Sequence, residues 1–217
     1  MTMDLNIRWT LLRRTAFWLL LFTWLWAPLV RGEDWADLIK VLDKSIAFVE
    51  SEQGSCTAFV INAEKKYLLT ADHCFGKEIW ADRVRAKVIS RDSKKDLMVI
   101  EAEHLDPAKV ALKLAATNPV RGQAVMSVGY GYALERPFFR QSNVQDDQFM
   151  MPEAGVGGPY ISVDSPFVGG QSGGPVVDVK GAVVSIVQRG DGGTTGLGVG
   201  ADIIRGRMGR FFAQEKK

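Results

Sequence analysis

The residues best suited to covalent chemistry lie in two short motifs. His73 lies in LTADHC, at the end of an apolar run, and Ser172 lies in GGQSGGP. A serine hydroxyl is a poor nucleophile at neutral pH, so its attack on a carbonyl carbon requires a base within hydrogen-bond reach and donors for the developing oxyanion. The two motifs predict a serine nucleophile with a histidine as general base.

Glycines surround this serine, and they can meet the second requirement. Without side chains they allow the backbone to turn sharply and to approach a bound molecule closely. We therefore expect the N–H groups of Gly170 and Ser172 to point at one oxygen and to form an oxyanion hole.

The choice of base is narrow, because the chain has only two histidines. An imidazole titrates near neutrality, as a general base must. His73 lies at a predicted strand end, whereas His104 lies in the charged turn EAEHLDP and is interpreted as a solvated loop residue.

The third requirement is a carboxylate that holds the imidazole in one tautomer. Asp96 begins the apolar run DLMVIEAE, which places it at the mouth of a buried strand. Asp92 is the alternative, but the neighbouring Lys94 and Lys95 indicate exposure. Asp72 is less favoured, because adjacent strand residues point to opposite faces. Asp96 is the preferred partner of the histidine.

The elements that must position these residues are short strands. Apolar or alternating runs between turn residues predict two series of six strands, separated by the linker Ala115–Gln123. Helical spacing predicts short helices at Asp34–Leu42 and Asp202–Phe212. This layout favours small barrels or sandwiches over a βαβ arrangement. The predicted strands are Ser45–Glu50, Thr57–Asn62, Lys66–Thr70, Val84–Ser90, Leu97–Glu101, Val110–Leu114, Ala124–Gly129, Phe138–Val144, Tyr160–Val163, Pro175–Val179, Ala182–Gln188 and Thr195–Gly200.

Residues 1–32 differ from the rest in composition. Arg8, Arg13 and Arg14 precede the almost uncharged run Ala16–Val30, which is shorter than most membrane spans. The pattern is typical of a secretory signal peptide, with an uncleaved membrane anchor as the alternative. Both interpretations export the remaining chain, as a secreted or periplasmic protein or as a domain tethered outside the membrane.

The charge pattern gives no case for nucleic acid as a partner. The formal net charge is +2, but four basic residues and one acidic residue lie in residues 1–32, so the remainder is slightly negative. A nucleic-acid-binding surface is expected to be basic.

Cys56 and Cys74 are the two cysteines of the chain. In an exported protein, an even number favours a disulfide over free thiols. Two ligands are too few for a closed zinc site unless His73 and other residues join, and the sequence lacks an HExxH motif. We predict neither a metal site nor a cofactor.

Together these motifs resemble those of the trypsin-like, chymotrypsin-fold serine peptidases. TADHC is similar to the family's TAAHC histidine motif, Asp96-Leu97 to the start of its aspartate motif, and GQSGGP to its G-[DN]-S-G-G-P motif. The order His, Asp, Ser also matches, and the resemblance covers Ser45 to Gly209.

The resemblance implies an all-β fold of two six-stranded antiparallel barrels, with the active site between them and short N-terminal and C-terminal helices. The expected limits are 33–117 for the N-terminal helix and first barrel, and 118–217 for the second barrel and C-terminal helix. It also implies a Cys56–Cys74 disulfide and a serine endopeptidase that acts on protein or peptide substrates through an acyl-enzyme.

Three departures from the family pattern refine these expectations. Gln171 replaces the aspartate that precedes the serine in zymogen-activated members, and no IVGG-type start follows the leader, so the bacterial and Deg-type members are the better match. No PDZ-like segment is expected after Phe212. Asp72 replaces a small residue, and the separation of His73 from Asp96 is short.

The resemblance also indicates where substrate would bind. The pocket is expected to include Pro166 and Phe167 before the nucleophile, with Ser185, Ile186 and Val187 as a strand edge for an extended peptide. Pro166 stands about where a trypsin carries its pocket aspartate, so we predict a small or apolar residue at the cleavage site. A catalytically silent peptide-binding module of the same fold is the alternative function.

Overall fold

The computed structural model describes residues 35–151 and 158–213. The predicted leader, residues 1–32, lies outside the described residues. Among the residues described, no helix is both long enough and apolar enough to cross a bilayer.

A short helix and six strands form the first barrel. Helix α1, Trp35–Asp43, packs its apolar side chains against the core. The strands are β1 Ile46–Ser51, β2 Gly54–Asn62, β3 Tyr67–Thr70, β4 Ile79–Ala81, β5 Val84–Asp92 and β6 Leu97–Glu101. They are antiparallel and close in the order β1-β2-β3-β6-β5-β4.

The second barrel repeats this architecture. Its strands are β7 Ala124–Gly129, β8 Phe138–Phe149, β9 Tyr160–Val163, β10 Pro175–Asp178, β11 Val183–Gly190 and β12 Gly196–Gly200. They close in the order β10-β11-β12-β9-β8-β7, again antiparallel. Helix α2, Ala201–Met208, follows directly. The predicted fold class of two six-stranded antiparallel barrels with two short helices is confirmed.

One predicted strand is wrong. Val110–Leu114 forms no ladder, and only an isolated bridge joins Leu114 to Val183. The segment buries Leu112 individually while its backbone makes single contacts, such as the hydrogen bond from Leu112 N to Val60 O. The sixth strand of the barrel is β4 instead, whose three residues are too few to show a periodic pattern in the sequence.

One hydrophobic core extends from the first barrel into the second. It includes Phe59 and Leu69 from the first barrel and Met126 and Val128 from the second, all essentially buried. Burying a large apolar side chain contributes about 1.5–3 kcal/mol. This shared core holds the facing walls of the two barrels together, which is where the motif residues lie.

Tyr130, just after β7, belongs to the shared core. Its ring meets that of Phe48 edge-on, with centroids 5.3 Å apart, and the residue is 8% exposed. Burial, together with the charges of Asp82 and Asp43, raises the pKa of the Tyr130 phenol from 10.0 to about 12.

We expect Tyr130→Phe to make the protein less sensitive to alkali. The phenol ionises near pH 10 in the unfolded chain but near pH 12 in the folded one, so its contribution is complete below pH 10 and is lost as the pH rises to 12. Urea unfolding across this range should show a shallower fall in the free energy of unfolding for Tyr130→Phe than for the wild type. Tyr132→Phe, at a 69% exposed residue, is the control, and equal slopes for wild type and Tyr130→Phe would contradict the expectation.

Candidate active site

His73 is held on a tight turn at the end of β3. Asp72–Cys74 forms a single 3-10 turn in which Asp72 and Cys74 are buried, whereas the His73 side chain is 46% exposed. A disulfide joins Cys74 to Cys56 of β2, as the resemblance implies. Closing a loop of this length contributes about 3 kcal/mol. The imidazole is therefore presented to solvent from a firmly anchored backbone.

The carboxylate of Asp96 is hydrogen-bonded to both the ring and the backbone of His73. Oδ2 lies 2.7 Å from Nδ1, and Oδ1 accepts a hydrogen bond of 2.8 Å from the backbone N–H. Asp96 is 4% exposed. A carboxylate oxygen can only accept a hydrogen bond, so Nδ1 carries the proton and donates it in this bond, which leaves Nε2 of a neutral imidazole as an acceptor.

The two rival carboxylates make other contacts. Asp92 caps the β5–β6 turn by accepting from the N–H groups of Lys94 and Lys95. The Asp72 carboxylate forms a two-point ion pair with Arg91, at 2.6 and 3.0 Å. The hydrogen bonds that Arg91 donates to the Asp72 carboxylate raise the pKa of the Arg91 guanidinium above its ordinary value.

The remaining sequence candidates for chemistry lie outside this cluster or are already bonded. His104 is exposed on the turn that follows β6. Cys56, His73 and Cys74 lie within possible ligand distance of one another, but the two sulfurs are bonded together and do not form a metal site.

Ser172 lies on the loop between β9 and β10, across from His73. Its Oγ donates to the carbonyl of Gln188 at 3.3 Å. Across residues 35–151 and 158–213, no hydrogen bond joins Ser172 to His73. A cavity of about 300 Å³ beside His73 and one of about 200 Å³ beside Ser172 share Gln188 and Arg189 as lining residues. The serine and histidine thus face adjoining parts of one cleft.

The backbone around Ser172 has the features of an anion site. Gly170 adopts a φ of +92°, and a Cβ there would lie 2.2 Å from the carbonyl oxygen of Tyr130, so only glycine fits. Within the described ranges, the N–H groups of Gly170 and Ser172 have no acceptor in the protein. Neither donor is committed to another group of the described protein.

Sequence reasoning did not identify what holds this loop. The Gln171 side chain is 1% exposed, and its Oε1 accepts from the N–H of Val168 at 3.0 Å, so the residue that departs from the family pattern braces the turn. Thr57 of β2 donates from Oγ1 to the Gly170 carbonyl and from N to the Ser172 carbonyl, both at 2.8 Å. The local signal for Gln171 was its place in GQSGGP, whereas nothing near Thr57 in the sequence indicates its role.

The predicted pocket residues fall into two groups. Phe167 and Val187 line the 200 Å³ cavity beside Ser172, together with Arg189 and Gly190. Pro166, Ser185 and Ile186 do not line it. Ser185 and Ile186 are 1% and 0% exposed, because the accessible end of β11 comes after the register shift between Val187 and Arg189.

We expect Arg91→Met to destabilise the protein more than Asp72→Ala. The first change leaves a carboxylate that is 7% exposed without its partner, whereas the second leaves a guanidinium that is 36% exposed and can be hydrated. An unpaired buried polar group costs about 1–3 kcal/mol. Urea unfolding should show this order. Arg85→Met, in an exposed pair with Glu78, is the control with little expected effect, and a larger loss for Asp72→Ala would contradict the expectation.

Comparison with known proteins agrees with the two-barrel fold. No curated protein sequence matches the chain. Among solved structures, the inactive form of the Rv3671c protease of M. tuberculosis is 22% identical, has a TM-score of 0.68, and is aligned over 81% of this chain and 93% of its own. The serine endoprotease from Yersinia pestis is 16% identical, with a TM-score of 0.66, over 82% of this chain and 66% of its own.

An HtrA-type protease, AlgW with a tripeptide, is 17% identical, with a TM-score of 0.66, over 78% of this chain and 60% of its own. At these identities the likeness concerns the fold. The family model of the trypsin-like peptidase domain matches residues 56–186, which is more than half of the sequence. The chain therefore belongs to the trypsin-like peptidase domain family.

Proposed function

We propose that the protein is a serine endopeptidase that hydrolyses peptide bonds through an acyl-enzyme. In this proposal Ser172 is the nucleophile, His73 is the general base and Asp96 orients the histidine. The observation that carries it is the pair of hydrogen bonds that the Asp96 carboxylate accepts from the ring and the backbone of His73, at 2.7 and 2.8 Å, in a member of a peptidase family.

The first chemical step follows from the tautomer. Because Nδ1 donates to Asp96, Nε2 can accept the proton of Ser172 as Oγ attacks the substrate carbonyl carbon. In the free protein the Ser172 hydroxyl donates this proton in a hydrogen bond to the Gln188 carbonyl, with Oγ 3.3 Å from the carbonyl oxygen. Substrate binding must replace this long hydrogen bond. Hydrogen bonds of catalytic groups are often loose before substrate binds.

The charge that develops on the substrate oxygen needs donors already in place. In our proposal the N–H groups of Gly170 and Ser172, which have no acceptor among the described residues, serve this purpose, because donors fixed in the backbone need little reorganisation during the reaction. The imidazolium then protonates the leaving amine, and a water activated by the same nitrogen hydrolyses the acyl-enzyme.

The cavity beside Ser172 supports a small or apolar residue on the acyl side of the cleaved bond. It measures about 200 Å³, its walls include Phe167, Val168 and Val187, and no carboxylate lines it among the residues described. A lysine or arginine side chain would be desolvated there without a counter-charge.

An exported location is part of the proposal. The Cys56–Cys74 disulfide supports it, because disulfides persist in oxidising compartments such as the periplasm and the cell exterior. The resting bond of Ser172 to Gln188 rather than to His73 is the observation that favours the alternative, a silent peptide-binding module.

We expect Ser172→Ala and His73→Ala each to lower kcat by roughly 10⁴- to 10⁶-fold, because the nucleophile and its base act as one unit. Ser172→Ala should also abolish labelling by a fluorophosphonate. The matched control is His104→Ala, which removes the exposed histidine and should leave hydrolysis unchanged. A wild-type protein that is folded and oxidised but reacts with no serine-directed probe would establish the silent module instead.

We expect cleavage mainly after small or apolar residues. A library of peptides that differ only in the residue before the cleaved bond, analysed by mass spectrometry, measures this preference as relative kcat/KM. A small or medium apolar residue should exceed lysine and arginine, since the cavity is small and its lining residues, among those described, include the cationic Arg189 and no carboxylate. Cleavage predominantly after arginine or lysine would contradict the expectation.

A further inference from the structure

Gln188 occupies an unusual place in the cleft between the barrels. It lies in β11 of the second barrel, at the register shift between Val187 and Arg189, and is 2% exposed. Its backbone carbonyl is the acceptor for Ser172 Oγ. The residue whose backbone contacts the proposed nucleophile therefore also carries a buried side chain.

The Gln188 side chain crosses to the first barrel. Its Nε2 donates to the carbonyls of Lys95 and Asp96, at 2.7 and 3.2 Å. Two carbonyl acceptors determine which end of the amide faces them, since only the NH₂ end has two hydrogens to donate. One residue therefore contacts both the proposed nucleophile and the backbone that carries the proposed triad carboxylate.

The backbone of Asp96 is in a disfavoured conformation that such a contact can stabilise. Asp96 adopts a φ of +54°, in the left-handed region that non-glycine residues disfavour. Its carboxylate must nevertheless hold two hydrogen bonds to His73 at once. The Gln188 amide, which binds the carbonyls on either side of this φ angle, limits how far the turn can relax.

Gln188 supports this turn at an energetic cost. Its Oε1 is buried and has no hydrogen-bond partner within the described part of the chain. Buried polar atoms are normally satisfied, so an apolar side chain of the same size would suit this position better if only packing mattered. The two donated hydrogen bonds are what the glutamine supplies and an apolar residue would not.

We propose that Gln188 is a positioning residue that holds the Asp96 turn, and through it the orientation of His73, from the opposite barrel. The inference rests on the proposed function, in which His73 is the general base. Gln188 acts on the reaction through Asp96, and its side chain takes no proton from substrate or nucleophile.

The test is Gln188→Met, which keeps the length of the side chain and removes both donors. We expect kcat to fall roughly ten- to hundredfold, the range that follows small misplacements of catalytic groups, while KM changes little. The matched control is Gln141→Met, the same substitution at an exposed residue of β8, which should retain wild-type kcat. Thermal unfolding and circular dichroism establish that each variant is folded.

A second measurement reads the geometry without catalysis. In the Ser172→Ala background, the His73 Nδ1 proton, hydrogen-bonded to Asp96 at 2.7 Å, should give a downfield proton resonance by nuclear magnetic resonance. We expect Gln188→Met to shift or broaden this resonance and Gln141→Met to leave it in place. If Gln188→Met fails to fold, Gln188→Leu, which also removes both donors and adds no charge beside Asp96, is expected to show the same effects.

The outcomes separate the two proposals. Wild-type kcat and an unchanged resonance in Gln188→Met would overturn the positioning role, and so would a fall in kcat with an unchanged resonance. A wild type that neither hydrolyses peptides nor reacts with a fluorophosphonate would instead overturn the proposed function, and the resonance would still decide whether Gln188 positions His73.

Discussion

The site depends on the hydrogen bonds that Thr57 makes between the barrels. From β2 of the first barrel, this fully buried residue donates to the carbonyls of Gly170 and Ser172 in the second. Its Oγ1 also accepts a hydrogen bond from the N–H of Tyr130, and its carbonyl accepts one from the hydroxyl of Thr70 at the end of β3, the strand that precedes His73. Thr57, through its side chain and its backbone, thus contacts the serine loop, the shared core and the start of the turn that carries His73.

This arrangement requires very close approach of the two backbones. A Cβ on Gly173 would lie 2.2 Å from both the Thr57 carbonyl oxygen and Thr70 Oγ1, and one on Gly174 would lie 2.1 Å from the Val128 carbonyl. Gly173 is therefore needed for packing between the barrels and Gly174 for packing within the second barrel, while Gly170 is needed for the shape of the proposed oxyanion site. The glycine-rich motif meets the demands of close packing and of a particular backbone shape together, which explains its density.

Local motifs were sufficient to predict Ser172, His73 and Asp96 as candidates, because His73 and Asp96 stand at the end and the start of recognisable apolar runs and Ser172 stands in a glycine-rich motif. The two-barrel fold was predictable from the resemblance those motifs carry. The supporting contacts were not, since Thr57 and Gly170 are 113 residues apart and Gln188 and Lys95 are 93 apart. The periodicity within a window of ten or twenty residues carries no information about such pairs. The three-residue strand β4 was not predicted for a related reason, because its pairing with neighbouring strands, and not its own residue pattern, makes it a strand.

Asp72 shows how a departure from a family pattern can be absorbed locally. A carboxylate beside a proposed general base would ordinarily affect the charge of that base. Here Arg91 binds both oxygens of Asp72, and its guanidinium carbon lies 3.7 Å from the ring centroid of Phe75. The negative charge of Asp72 is matched by a residue of β5 that lies 19 positions further along the chain, and this ion pair anchors the turn that carries His73 to that strand. The short segment from His73 to Asp96 can therefore be held from three directions: by Arg91 at its start, by the disulfide at Cys74, and by the Gln188 amide at its end.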